Sequence, residues 1–95
     1  MSETQHFKEK IWKLYILRCG DGTLYTGITD DLEKRLEAHR SGKGAKYTRG
    51  RGPLELLYQE TCQDHSHALR REYAIKRLNR QQKLLLIRQK EGRDK

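Results

Sequence analysis

Apolar positions along this chain fall into six runs, set apart by glycine, proline and short polar clusters. The run over residues 11–18, IWKLYILR, is dense in bulky apolar and aromatic types and predicts a buried strand. Cys19-Gly20-Asp21-Gly22 follows, and its Asp-Gly pair predicts a hairpin turn because glycine takes positive φ freely. Residues 23–28, TLYTGI, form the returning strand, with Gly27 marking a close backbone approach or a bulge. Thr29 or Asp30 is placed to cap a helix over residues 31–41, with Leu32 and Leu36 turned to the core and Gly42 ending it. A glycine-rich basic loop fills residues 42–52, and Pro53 opens a third strand over 54–60. Asp64 or Ser66 caps a second helix running to about residue 78, with Ala68, Leu69, Tyr73 and Ile75 as its apolar arc. Asn79 breaks it, and residues 80–90 make a third helix with Leu84, Leu85 and Ile87 apolar. The order β-β-α-β-α-α predicts a small α/β (α+β) domain, a three-stranded antiparallel sheet flanked by helices. The polar ends, residues 1–10 and 91–95, are expected to be disordered tails around one domain over 11–90.

Composition narrows the class. Ninety-five residues make one domain with a modest core. Apolar content is 34% and charged content 36%, so folding rests on how the apolar positions cluster rather than on their number. No apolar run approaches the ~20 residues of a membrane span, and the first residues lack the apolar stretch of a secretory signal. A cytoplasmic monomer is expected. Cys19 and Cys62 then read as reduced, structural thiols. Cys62, His65 and His67 lack the second paired cluster that a structural zinc site needs.

The formal net charge of +8 is unevenly spread. Residues 34–51 hold seven Lys/Arg against one acid, Glu37, and residues 70–95 hold ten against three. Such asymmetry favours a polyanionic partner, although a solvated basic surface has the same composition. A membrane surface fits less well, because no helix pairs a basic face with Trp, Phe and Leu opposite.

Candidate chemistry gathers on a few side chains. Arg35 and His39 stand one helical turn apart on the edges of the first helix's apolar stripe, a fixed cation and a titratable imidazole at the rim of the sheet. Glu72 falls near the middle of the second helix's apolar arc, where a carboxylate without partners is costly. It is therefore paired, hydrogen-bonded or metal-bound. A salt bridge, for instance to Arg35, competes with Mg²⁺, which accepts one or two acids plus substrate phosphate. Tyr15 and Tyr25 lie on the two hairpin strands. Tyrosine on a strand is usually filler, yet a phenol beside cations can bind phosphate or give up its proton.

Residues 12–39 resemble the GIY-YIG nuclease superfamily: Leu14-Tyr15-Ile16-Leu17 stands where its first motif ends in tyrosine, and Tyr25-Thr26-Gly27 matches the second. Arg35 and His39, then Glu72, follow in the family's order. Residues 11–80 are similar to its small stand-alone bacterial members, the YhbQ-like proteins, including the stretch from Gly42 to Arg49. The resemblance implies one-step DNA cleavage with Mg²⁺ or Mn²⁺. Glu72 would hold the metal, and Tyr15 and Tyr25 would position or deprotonate water. Arg35 would stabilise charge on the phosphate, and His39 would assist proton transfer or orient a tyrosine. Departures are also present. Lys13-Leu14-Tyr15 replaces Gly-Ile-Tyr, Thr26 replaces the isoleucine of Tyr-Ile-Gly, and Ile28 stands where some members carry lysine. Leu84 falls near a position where some carry asparagine.

The loop offers Lys43, Lys46, Tyr47, Thr48, Arg49 and Arg51 to a nucleic acid, and its glycines would let backbone approach phosphates. Tyr47 could stack on an unpaired base. A flexible surface loop is the plainer alternative. Arg70, Arg71, Arg77 and Arg80 would extend the footprint. Nothing in the chain resembles a base-reading module, so recognition of structure or backbone is expected, as in DNA repair or recombination. The leading expectation is a metal-dependent DNA endonuclease, with branched or damaged DNA as its partner and the choice between DNA and RNA left open. The alternatives are a noncatalytic DNA- or RNA-binding module and a basic scaffold for an acidic protein.

Overall fold

β1 (Trp12–Arg18), β2 (Leu24–Thr29) and β3 (Glu55–Cys62) form one antiparallel sheet in the order β2-β1-β3. Here the computed structural model describes residues 10–93, with side chains to residue 90. Three helices, α1 (Leu32–Arg40), α2 (His65–Lys76) and α3 (Arg80–Arg93), complete the expected order β-β-α-β-α-α. The tails expected at the two ends lie outside the described residues, except for Lys10 and the backbone of 91–93, which continues α3 past its expected end at residue 90.

β1 holds the centre because it is apolar on both faces. Leu14, Tyr15, Ile16 and Leu17 are all fully buried. Side chains alternate across a strand, so this run serves two environments. Leu14 and Ile16 join Tyr58, Cys62, Ala68, Ile75 and Ile87 in the main core, beneath α2 and α3. Tyr15 and Leu17 point the other way. A bulge in the β1–β3 pairing between Ile16 and Leu17 leaves Leu57 as the extra residue.

Local chemistry explains the ends of the elements. The hairpin closes over Cys19–Thr23, with Gly22 at φ 86 and the Asp21 side chain accepting from the backbone and hydroxyl of Thr23. Those two bonds hold the Asp21 carboxyl down to about 2. The cap of α1 is Asp31, whose carboxylate accepts from the Lys34 N–H at 3.2 Å. Thr29 and Asp30, expected in that role, precede it, and the Thr29 hydroxyl accepts from the Asp31 N–H instead. Gly42, at φ 82, ends α1 as expected. Asp64 caps α2. Asn79 and Gln82 cap α3 reciprocally, each side chain accepting from the other's backbone N–H.

The helices bury less than their sequences suggest. On α2 only Ala68 and Ile75 are buried, while Leu69 and Tyr73 are exposed, Tyr73 by 64%. On α3 Ile87 is buried and Leu86 packs on the core, whereas Leu84 and Leu85 are exposed. On α1 Leu32 and Leu36 are half-buried and His39 is the buried side chain.

Candidate active site

The face of the sheet opposite the main core is built outward from Tyr15. This residue pairs directly with Gly27. A Cβ placed on Gly27 would stand 2.6 Å from the Tyr15 phenol oxygen and 3.1 Å from the Tyr25 ring. Gly27 is therefore the close approach expected from sequence: only glycine lets the Tyr15 ring lie across β2. No bulge interrupts the β1–β2 register there. Tyr25, opposite Leu17, projects on the same side, and the two ring centroids are 6.3 Å apart.

α1 then lays His39 against both phenols. The imidazole is 2% exposed, so it sits inside this face and not at its rim. Its ring meets Tyr15 and Tyr25 edge-on, at 5.8 and 5.4 Å between centroids. Its Nε2 lies 2.8 Å from the Tyr15 phenol oxygen, and its Nδ1 lies 2.9 Å from the Thr48 hydroxyl. Gly44 crosses over the imidazole, where a Cβ would come within 2.5 Å of Nδ1. This glycine seats a side chain; it is not a window onto phosphate.

Charge converges on the same phenol. Burial pushes the Tyr15 hydroxyl up to about 12; the Arg35 guanidinium opposes that rise, while Tyr25 and Glu72 add to it. Arg35 is itself raised, first by Tyr15, and Tyr25 contributes too. It faces both rings without closing a well-formed hydrogen bond to either. His39 is lowered, by burial first and by the Arg35 charge second. Phenol and imidazole are thus both neutral near neutral pH.

Glu72 is the half-buried carboxylate of α2, its side chain 21% exposed, and its partner is Lys76 at 3.1 Å, one turn on, in place of Arg35. Among the described residues no three His, Cys, Asp or Glu side chains gather to form a cage. The donor set suits a hard divalent ion that takes one carboxylate, retains water and completes its shell on phosphate. Glu72 offers that single carboxylate, half-buried and paired with the more exposed Lys76.

The basic loop is fastened down. Residues 46–48 form a 3-10 turn, and the Gly20 N–H donates to the Arg51 carbonyl at 2.5 Å. Arg51 also pairs with Asp21 across the hairpin and covers the Tyr47 ring at 4.4 Å. Tyr47 also stacks on Tyr25, with centroids 5.8 Å apart. With these two neighbours Tyr47 is still 41% exposed. Thr48, expected to touch nucleic acid, is buried, with its hydroxyl turned to His39. Arg71, also expected there, forms a bidentate pair with Glu60. Burial pushes the Glu60 carboxyl up, but Arg71 and Tyr58 outweigh it and hold it below its ordinary value. Arg77 covers Tyr73, and Arg80 donates to the Gly22 carbonyl. Lys43, Lys46, Arg49 and Arg70 remain on the surface. His65 stacks on Trp12 at 4.3 Å, and His67 accepts from the Gln63 N–H.

Of the five residues singled out in the sequence, the fold brings Tyr25 and His39 into contact with Tyr15 and sets the Arg35 charge beside that phenol, whereas Glu72, on α2, has Lys76 as its contact. Sequence reasoning missed the roles of Gly44 and Thr48. The only trace of either is the place of a small residue and a short hydroxyl within a cationic loop.

Comparison with known proteins identifies the domain. Residues 11–84 match the model of the GIY-YIG catalytic domain. A UPF0213 protein of Desulfotalea psychrophila is 52% identical over 81 residues, covering 84% of this chain and 74% of its own. Another, from Clostridium perfringens, is 58% identical over 74 residues, covering 78% and 80%. The solution structure of a UPF0213 protein from Bacillus halodurans superposes with a TM-score of 0.57 at 46% identity, over 84% of this chain and 85% of that one. A second solution structure, from E. faecalis, gives 0.58 at 38%, over 83% and 85%. The matched domain points to a nuclease acting on nucleic acid. By the span of the domain match and the identity of these relatives, the chain belongs to the GIY-YIG family.

Proposed function

We propose that the protein is a metal-dependent DNA endonuclease that hydrolyses phosphodiester bonds and selects DNA structure over sequence. The observation carrying this reading is the buried hydrogen bond between the Tyr15 phenol and the His39 imidazole, with the Arg35 charge beside it. Tyr15 takes the proton of the attacking water as it releases its own to His39 Nε2. The water oxygen bonds to phosphorus. The bond to the leaving oxygen breaks with its electron pair, and that oxygen is protonated by solvent. Arg35 supplies fixed positive charge where the phosphate gains negative charge. Glu72 would hold the divalent ion, which would supply Lewis acidity and a clamp on the phosphate. Tyr25 orients the reacting groups through its contacts with Tyr15 and His39.

Lys43, Lys46, Arg49 and Arg70 offer contacts to the phosphate backbone without reading bases. Structure selectivity, as for repair or recombination intermediates, is the reading these sequence-independent backbone contacts support.

The test incubates wild type, Glu72→Gln and Arg35→Ala with Mg²⁺ or Mn²⁺ and either plasmid or branched DNA. Wild type cleaves, Glu72→Gln loses metal-dependent cleavage, and Arg35→Ala loses about 10²–10³-fold. Equal cleavage by all three proteins identifies a contaminant and removes the enzyme reading. Binding of DNA without cleavage by wild type leaves a binding module.

A further inference from the structure

The hydroxyl of Thr48 has one proton to give. It lies 2.9 Å from the Ala45 carbonyl, to which it donates, and 2.9 Å from His39 Nδ1. With that proton committed to Ala45, the oxygen can only accept from the imidazole, so Nδ1 carries the hydrogen. The far side of the ring leads to the same assignment. Nε2 is the hydrogen-bond partner of the Tyr15 phenol, 2.8 Å away. Arg35 faces that phenol as a donor only, so the phenol proton needs an acceptor, and a bare Nε2 provides it. The ring cannot turn over to exchange its nitrogens freely. Gly44 presses on Nδ1 and on the ring carbon beside it, and the Tyr15 and Tyr25 rings close the other sides.

We infer that Thr48 is a positioning residue: it holds His39 in the Nδ1–H form, so that Nε2 alone is free to take the proton of Tyr15. The step moves one proton. The Tyr15 O–H bond breaks with its pair left on oxygen, and the Nε2 lone pair forms the new N–H bond. The Thr48–Ala45 bond holds while this happens. The 3-10 turn at residues 46–48 thus belongs to the reacting site as well as to the surface that meets nucleic acid. The assignment explains why a threonine among four basic loop residues is buried. This inference rests on the nuclease reading for its consequence, but the tautomer itself can be observed without any substrate.

The experiment is ¹⁵N NMR of the His39 ring in wild type, Thr48→Val and Thr48→Ser at a pH where the imidazole is neutral. Metal-dependent cleavage is measured on the same samples, and the dispersion of their amide spectra reports folding. Wild type and Thr48→Ser are expected to show a pyrrole-type Nδ1 and a pyridine-type Nε2. Thr48→Val, of equal shape but without the hydroxyl, is expected to show both tautomers, since only the Tyr15 contact then favours Nδ1–H. Its cleavage should fall by about 10–100-fold, the cost typical of losing a group that orients a site imidazole, and Thr48→Ser should recover it. A wild-type spectrum with the proton on Nε2 overturns the inference. So does a Thr48→Val protein whose tautomer and cleavage match wild type. If wild type proves inert toward DNA, the nuclease reading falls while the spectra still decide what Thr48 does.

Discussion

One strand supplies both sides of this molecule, and the two sides spend their burial differently. Leu14 and Ile16 face α2 and α3 and meet apolar partners, where almost any well-shaped contact is favourable. Tyr15, one residue away, is equally buried but meets a histidine, a second tyrosine and the field of Arg35. Packing alone does not satisfy that side. Each polar atom needs a partner in the right protonation state, and small residues must clear the space. Gly27 and Gly44 do that clearing. The helix side is tolerant and sets stability, whereas the tyrosine side is exacting and sets orientation.

Substitutions can break this contrast, the costliest on the helix side. Ile16→Ala opens a cavity in the main core and should lower stability by about 2–5 kcal/mol. Urea denaturation reads the loss, and cleavage per folded molecule should stay at the wild-type level. Gly27→Ala should lower stability less, by about 1–3 kcal/mol, because its new Cβ meets the Tyr15 oxygen. If the displaced atom is the reacting one, as proposed, cleavage drops further than the loss of folded protein explains.

Titration separates the two sides next. The folded-state pKa of His39 is depressed, so its contribution to stability is complete above the ordinary value of 6.5 and is lost as pH falls through the folded value. Glu60, on the helix side, is also depressed, but from 4.5, so its contribution disappears in a more acidic window. Urea midpoints between pH 7.5 and 5 should therefore fall for wild type, and the slope should flatten in His39→Gln. The smallest effect is a gain. Thr26 stands opposite Ile16 on the helix side, buried, with no partner for its hydroxyl among the described residues. Thr26→Val should raise stability by about 1 kcal/mol by removing that orphan, with cleavage unchanged. A loss on this substitution would show that the hydroxyl has a partner after all.

Much of the fold was legible because periodicity and turn chemistry act locally. The dense run from Trp12 to Arg18, the Asp21-Gly22 turn and the Gly42 stop each carry their own signal. The α1 cap was displaced to Asp31 because three neighbouring residues can all accept a backbone hydrogen bond, and tertiary placement chooses among them. Leu69 and Leu84 were expected in the core. A small sheet offers each helix a narrow strip, which Ala68, Ile75 and Ile87 fill. At the site, charge and ring types marked the five central residues. Burial of His39 and Thr48 was not legible, since it depends on a loop that folds back over α1 and is pinned to the hairpin by Arg51. The same pinning brings Tyr47 against Tyr25 and Arg51, contacts that the sequence did not show.

The central claim is that the tyrosine side performs chemistry while the helix side supports it. Its most direct test compares Tyr15→Phe with Ile16→Val, adjacent substitutions with similar stability costs of about 0.5–1.5 kcal/mol. Single-turnover cleavage of branched DNA with Mg²⁺ is measured at equal concentrations of folded protein. The account predicts a loss of about 10²–10⁴-fold for Tyr15→Phe, the range for removing an acid–base group, and a wild-type rate for Ile16→Val. Wild-type cleavage by Tyr15→Phe, or equal losses in both proteins, would contradict it.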